Sequence, residues 1–157
     1  MRSLQQLLDT YGESHVNTTN KAIHWICVPA IFFSIVGFFY AIPIGNMHKT
    51  MWINVGSIAL LAVLIYYFRL SVTMALGFVI WGAFCLWGNG FIYQNLGSSN
   101  SSLAITSLSI FVVAWIFQFV GHKIEGKKPS FLEDIQFLLI GPAWLMSFIY
   151  RKLGLRY

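Results

Sequence analysis

Charge is what this sequence has least of. Only 10% of its 157 residues are Asp, Glu, Lys or Arg, against about 25% in an ordinary soluble domain. That deficit excludes a surface that faces water over most of its area. Cysteine is nearly absent as well. Cys27 and Cys85 both fall inside apolar runs, and no CxxC or Cys/His spacing surrounds them, which excludes a disulfide framework or a cysteine-based zinc site. The first 21 residues hold Asp9, Glu13, His15 and Lys21 but no long apolar stretch, so no signal peptide is expected there. Acidic residues are scarcer than basic ones, leaving a net charge of +5. The basic residues sit in short segments between apolar runs. They read as topology signals and contacts for anionic headgroups, not as a nucleic-acid surface.

What is there is hydrophobic. Apolar residues make up 57% of the chain, and four runs, 22–40, 51–68, 72–93 and 103–120, approach the roughly 20 residues that cross a bilayer. The expectation is an all-α, polytopic membrane bundle forming one integral-membrane domain over 1–157. Leu4, Leu7, Leu8 and Tyr11 share one face of a helix, predicting an amphipathic N-terminal helix at the membrane surface. Pro29 is expected to kink the first span, residues 42–46 form a turn, and Arg69 and Ser71 mark a tight one. The last run, 135–150, is short, and Gly141-Pro142 interrupts it, which predicts a re-entrant or interfacial hairpin. The positive-inside rule agrees. With Arg2 and Lys21 cytoplasmic, Arg69, Lys123, Lys127, Lys128, Arg151, Lys152 and Arg156 also reach the cytoplasm if the last run does not cross. Only Lys49 then lies outside. Both termini are therefore expected in the cytoplasm. Two glycosylation-like triplets, at Asn17 and Asn100, are short enough to arise by chance.

This topology gathers histidines. His15 and His24 stand at the start of the first span and His122 just past the end of the fourth, so three of the four share one membrane face. His48 falls on the other side. Asn20 and His24 are spaced i, i+4. Gln118, His122 and Glu125 form one stripe if the fourth helix runs to residue 125. Polar groups near a bilayer are costly unless paired or interfacial, so several converging from separate helices suggest a site. Imidazoles with a carboxylate suit a divalent transition metal, as in non-haem Fe(II) centres. Side-chain oxygens of Asn17, Asn20 or Gln118 could accept a hydrogen bond from the second ring nitrogen. The bland alternative is a set of interfacial residues that cap helix ends and touch headgroups.

The pattern Tyr11-x3-His15-x-Asn17-x2-Asn20-x3-His24-x4-Pro29 resembles the N-terminal signature of the Mpo1-like (DUF962) family. The stretch from Trp115 through Gln118, Gly121, His122 and Glu125 to Pro129 resembles its second signature, and Gln136-x4-Gly141-Pro142 fits its C-terminal segment. The middle helices match in hydrophobic character only. The resemblance implies an Fe(II)-dependent dioxygenase of fatty acid alpha-oxidation, which shortens 2-hydroxy fatty acids by one carbon with O2, in an endoplasmic-reticulum or bacterial inner membrane. By position, His15, His24 and His122 would be the iron ligands, and Glu125 a fourth ligand or a nearby base. Tyr11 could donate a hydrogen bond near the metal or serve as an interfacial anchor. His48 matches no motif. Two rival classes remain at this point: a haem-binding electron carrier with His24 and His122 as axial ligands, and a non-enzymatic scaffold or small transporter. The multi-histidine di-iron hydroxylases need more histidines than four.

Overall fold

The computed structural model describes residues 3–45, 49–129 and 136–157. Those residues form six helices and no strand, as an all-α bundle requires. His48 lies outside the described residues, as does the start of the last apolar run.

Helix α1 (Leu4–Gly12) opens on a reciprocal capping box between Ser3 and Gln6. Its stripe of Leu4, Leu7, Leu8 and Tyr11 is buried, but against protein. The Tyr11 ring lies 6.1 Å from Phe137 and 5.5 Å from Trp144, both on the last helix. An amphipathic helix buries its apolar stripe on whatever apolar face is at hand, and here that face is α6 (Phe137–Lys152) rather than lipid.

Helices α2 (Thr18–Ala41), α4 (Val72–Asn95) and α5 (Asn100–Glu125) are each long and apolar enough to cross a membrane. Helix α3 (Val55–Leu70) is apolar but has only 16 residues. At 1.5 Å per residue it spans about 24 Å, short of a typical hydrocarbon core. It starts later than the sequence predicts because Asn54 caps it: Asn54 Oδ1 accepts from the Ser57 N–H (3.1 Å) and Ser57 Oγ accepts from the Asn54 N–H (3.2 Å). One residue turns α3 into α4. The Ser71 N–H donates to the Tyr67 carbonyl (2.8 Å), while its Oγ accepts from the Met74 N–H (3.2 Å). Across that hairpin Tyr67 stacks on Phe78 at 3.8 Å. Helix α2 is the hub, touching α3, α4, α5 and α6, and α5 most extensively. Pro29 does not end it.

The expected break at Gly141-Pro142 does not occur. Pro142 lies inside a continuous α6, so the segment is one helix and not a hairpin. A proline loosens the carbonyls of the preceding turn. The carbonyl that loses its helical donor is that of Leu138; the next one, of Leu139, accepts from the Tyr67 hydroxyl (2.5 Å), which pins that turn of α6 to α3. The same end of the α3–α4 hairpin also meets the far part of α6, where the Tyr150 hydroxyl donates to the Thr73 carbonyl (2.7 Å). Two points eleven residues apart on α6 thus reach one turn. Helix α6 therefore runs across one end of the bundle, and α1 packs on it. All described Lys and Arg residues except Lys49 belong to that end. Lys49 anchors the opposite end, donating to the Tyr40 carbonyl (3.0 Å) and to Asn100.

Candidate metal centre

Three segments deliver the histidines. Just past α1, the His15 N–H donates to the Gly12 carbonyl (3.0 Å). Two residues on, Asn17 caps α2, its Oδ1 accepting from the Thr19 (2.8 Å) and Asn20 (3.3 Å) N–H groups, so α2 begins at once and carries His24 in its second turn. From the other side comes His122 in the last turn of α5, whose end is closed by the Gly126 N–H on the His122 carbonyl (3.0 Å). All three histidines are buried. Ring centroids lie 4.3 Å apart for His15–His24, 4.9 Å for His15–His122 and 4.9 Å for His24–His122, each pair near perpendicular.

The hydrogen bonds fix which nitrogens face inward. His15 Nδ1 bonds the Tyr11 carbonyl (2.6 Å), and His24 Nδ1 bonds the Asn20 carbonyl (2.9 Å). A carbonyl only accepts, so each Nδ1 carries the proton and each Nε2 presents a lone pair. His15 Nε2 is buried with no hydrogen-bond partner. Such a group costs about 1–3 kcal/mol left alone, a cost that a bound cation would remove. One ligand atom from each ring can be chosen so that all three lie within 4.8 Å of one another. This donor set fits a first-row divalent ion. Burial, then the neighbouring His24, pushes the His15 pKa down to about 3 against the opposing pull of the Tyr11 carbonyl. The ring is therefore neutral at pH 7, the form that ligates metals.

The surrounding side chains divide by role. Tyr11 stacks on His15 at 4.1 Å and 14°. Burial raises its phenol well above the ordinary value, so Tyr11 stays protonated. Glu125 does not join the cluster of ligand atoms. Its carboxylate accepts from the Val16 N–H (2.9 Å), the Asn17 N–H (2.9 and 3.1 Å) and Asn20 Nδ2 (3.0 Å). It thereby ties the end of α5 to the segment that bears His15 and to the N-terminus of α2, where a negative charge is favoured. Asn20 Nδ2 also donates to the Ser14 carbonyl (3.2 Å). The His15 and His24 imidazoles lean on backbone carbonyls, not on the side-chain oxygens of Asn17, Asn20 or Gln118, while His122 Nδ1 is buried with no hydrogen-bond partner. Two neighbours were not legible from spacing. Trp144 of α6 stands 5.2 Å from the His15 ring, and Ser14 Oγ lies 3.2 Å from His15 Nδ1. Ser14 adjoins His15 in sequence, but nothing in the sequence couples Trp144 to α1.

Two cavities meet at the cluster. An apolar groove of about 390 Å³ starts at His24, His122 and Gln118 and runs along α2 beside α3. On the other side of His15 is a polar cleft of about 490 Å³ that includes Asp9, Lys21 and Arg151.

Fold and site define a class: an apolar helical bundle, with helices long enough to span a bilayer, holding a buried three-imidazole centre at one end. The family model described as 2-hydroxy-palmitic acid dioxygenase Mpo1-like matches residues 1–153, and the chain belongs to that family. It is similar to the 2-hydroxy-palmitic acid dioxygenase MPO1 of Saccharomyces cerevisiae, at 29% identity over 156 residues, covering 96% of this chain and 82% of the yeast protein. No solved structure matches.

Proposed function

We propose that this protein is a membrane non-haem Fe(II) dioxygenase that converts 2-hydroxy fatty acids into fatty acids one carbon shorter. The observation that carries this reading is the convergence of three buried imidazoles, two of which, His24 and His122, line an apolar groove. Family membership and the yeast relative's activity support the substrate class.

The atoms and electrons balance without a further reductant. A 2-hydroxy acid and O2 become the shortened acid, CO2 and water. The C1–C2 bond breaks, C2 rises from alcohol to carboxyl, and the four electrons released reduce one O2. His15, His24 and His122 would hold the iron, which would supply oxygen activation and charge stabilisation. The protein's own contribution is placement. The groove takes the acyl chain out of water, so the polar head is left beside the imidazoles. Gln118, one turn before His122 and lining the groove, offers that head an amide. Tyr11 walls one side of His15 and keeps its proton. Glu125 acts through the His15 segment as a positioning residue. Lys21 and Arg151 line the polar cleft and put two cations on the side of the centre away from the apolar groove. The end that holds the cluster would face the cytoplasm, because it carries nearly all the basic residues.

The haem alternative meets a steric objection. A macrocycle would have to lie between the His24 and His122 rings, yet their centroids are 4.9 Å apart at 85°, and His15 stands 4.3 Å from His24. That arrangement has no flat slot. The test is anaerobic Fe(II) reconstitution followed by O2 and a 2-hydroxy fatty acid. Mass analysis should find the acid one carbon shorter. No metal-dependent product from any chain length would refute the reading and favour a scaffold.

A further inference from the structure

The groove has a shape that does more than accommodate. On α2 its lining runs from His24 through Val28, Phe32 and Val36 to Phe39, fifteen helical steps or about 22 Å. Its far end is closed by a contact between helix backbones. A Cβ on Gly56 of α3 would sit 3.0 Å from the Val36 carbonyl oxygen and 3.2 Å from the Tyr40 nitrogen, so α2 and α3 nearly touch there. From that contact toward the histidines α2 and α3 form two walls of the groove, a wedge that Trp115, Gln118 and His122 of α5 and Phe137 and Pro142 of α6 complete. Ala59, one turn beyond Gly56, is the first α3 residue to line it, followed by Leu60 and Val63. A small side chain thus stands at the apex and the imidazoles at the open end.

We infer that the α2–α3 wedge measures the acyl chain, with Ala59 setting the longest chain that fits between the closed apex and the three histidines. This rests on the reading of the groove as the 2-hydroxy fatty acid site. Single bonds of about 1.5 Å at tetrahedral angles advance an extended chain by about 1.3 Å per carbon, so about 22 Å of groove holds about 17 carbons. Each methylene that gains burial should tighten binding about fourfold. The gain should cease once the chain reaches the apex. A larger residue at 59 fills the apex and brings the break down by about one helical turn, roughly 5 Å or four carbons.

The experiment is native mass spectrometry of the metal-free full chain, released from micelles after equilibration with an equimolar mixture of saturated 2-hydroxy acids of even length from about 10 to 20 carbons. Bound intensities are corrected for partitioning into empty micelles. Wild type should show affinity rising with length and breaking near 16–18 carbons. Ala59→Phe should move the break about four carbons shorter, and Ala59→Leu, the milder change, about two. Leu61→Phe alters the exposed side of α3, since Leu61 is 59% exposed, and should leave the break where it was. Co(II) binding, followed by absorbance, should be unchanged in all three variants. A wild-type break that neither Ala59 variant moves overturns the ruler and leaves the proposed function standing. No binding of any 2-hydroxy acid to wild type overturns both.

Discussion

Replacing Glu125 with glutamine separates two roles for this carboxylate, metal ligand and tether. In the structure its oxygens receive N–H groups from Val16, Asn17 and Asn20. Hydrogen bonds to a charged acceptor contribute about 1.5–3 kcal/mol each and neutral ones about 0.5–1.5. Glutamine keeps one acceptor oxygen and turns the other position into a donor that faces donors. Some contacts survive as neutral bonds and the rest are lost. Because Glu125 is partly solvent-exposed, the charged values belong at the low end of their range. The net loss is about 2 kcal/mol. Of the three imidazoles only His15 lies outside a helix, so that loss falls on the segment carrying it. If all of it loosens His15, metal affinity drops about 30-fold at 1.4 kcal/mol per decade. This lies within the 10–100-fold expected when a residue orients a ligand without binding the ion. Co(II) titration read by absorbance gives the affinity, and far-UV circular dichroism confirms that helicity is intact. Metal loss as complete as in His122→Ala would make Glu125 a ligand. An affinity within twofold of wild type would mean that the tether contributes nothing to the centre.

Three other outcomes are expected. His24→Ala and His122→Ala should each abolish stoichiometric metal binding while the helical content stays at the wild-type level, whereas His48→Ala should retain the metal. Elemental analysis of purified protein decides, and equal metal in all three variants would refute the assignment. Gly121→Ala should destabilise the α2–α5 contact by about 1–3 kcal/mol, because the added methyl collides with the Asn20 side-chain oxygen; thermal melts measure it, and an unchanged melting temperature counts against that packing. In metal-free protein the His15 pKa is pushed down to about 3, against about 6.5 in an unfolded chain. Above about pH 6.5 both states are neutral at this site and its contribution is fully present. As pH falls the unfolded chain takes up the proton first, so stability declines between about 6.5 and 3. His15→Gln should flatten that part of a melting-temperature profile, and an undiminished slope would place the titration elsewhere.

The bundle was legible because apolar run length is a one-dimensional property. Residues 22–40, 72–93 and 103–120 became α2, α4 and α5 with boundaries shifted by a few residues. The shortfall at α3 was not legible, because it depends on the Asn54 side chain capping one turn later than hydropathy alone suggests. The misread of Gly141-Pro142 has a similar cause. Proline's local cost is readable, but the packing that holds the preceding turn is not: the bond from the Tyr67 hydroxyl to the Leu139 carbonyl spans 72 positions in sequence. For the site, topology alone brought His15, His24 and His122 to one face. Spacing alone offers the side-chain oxygens of Asn17, Asn20 or Gln118 as acceptors for the second ring nitrogens, because the sequence displays side chains. The acceptors are instead carbonyls four residues back, at Tyr11 and Asn20, available to any histidine that follows a helical turn.

On the function proposed above, the position of the centre follows from a conflict between two kinds of contact. An acyl chain wants a wall without charges, which only the spanning helices offer. A carboxylate head wants water and counter-charges, which the basic end offers. Three imidazoles buried deep in the bundle would leave the head stranded in hydrocarbon; placed on the surface, they would be hydrated and partly protonated near neutral pH. The α1–α6 layer resolves this. It covers the helix ends with Leu7, Tyr11, Ile140 and Trp144, all buried, and so keeps the imidazoles dry at a level where the groove ends and the polar cleft begins. On this argument α1 and α6 are as much part of the centre as the helices that carry His24 and His122, although neither of them supplies a ligand.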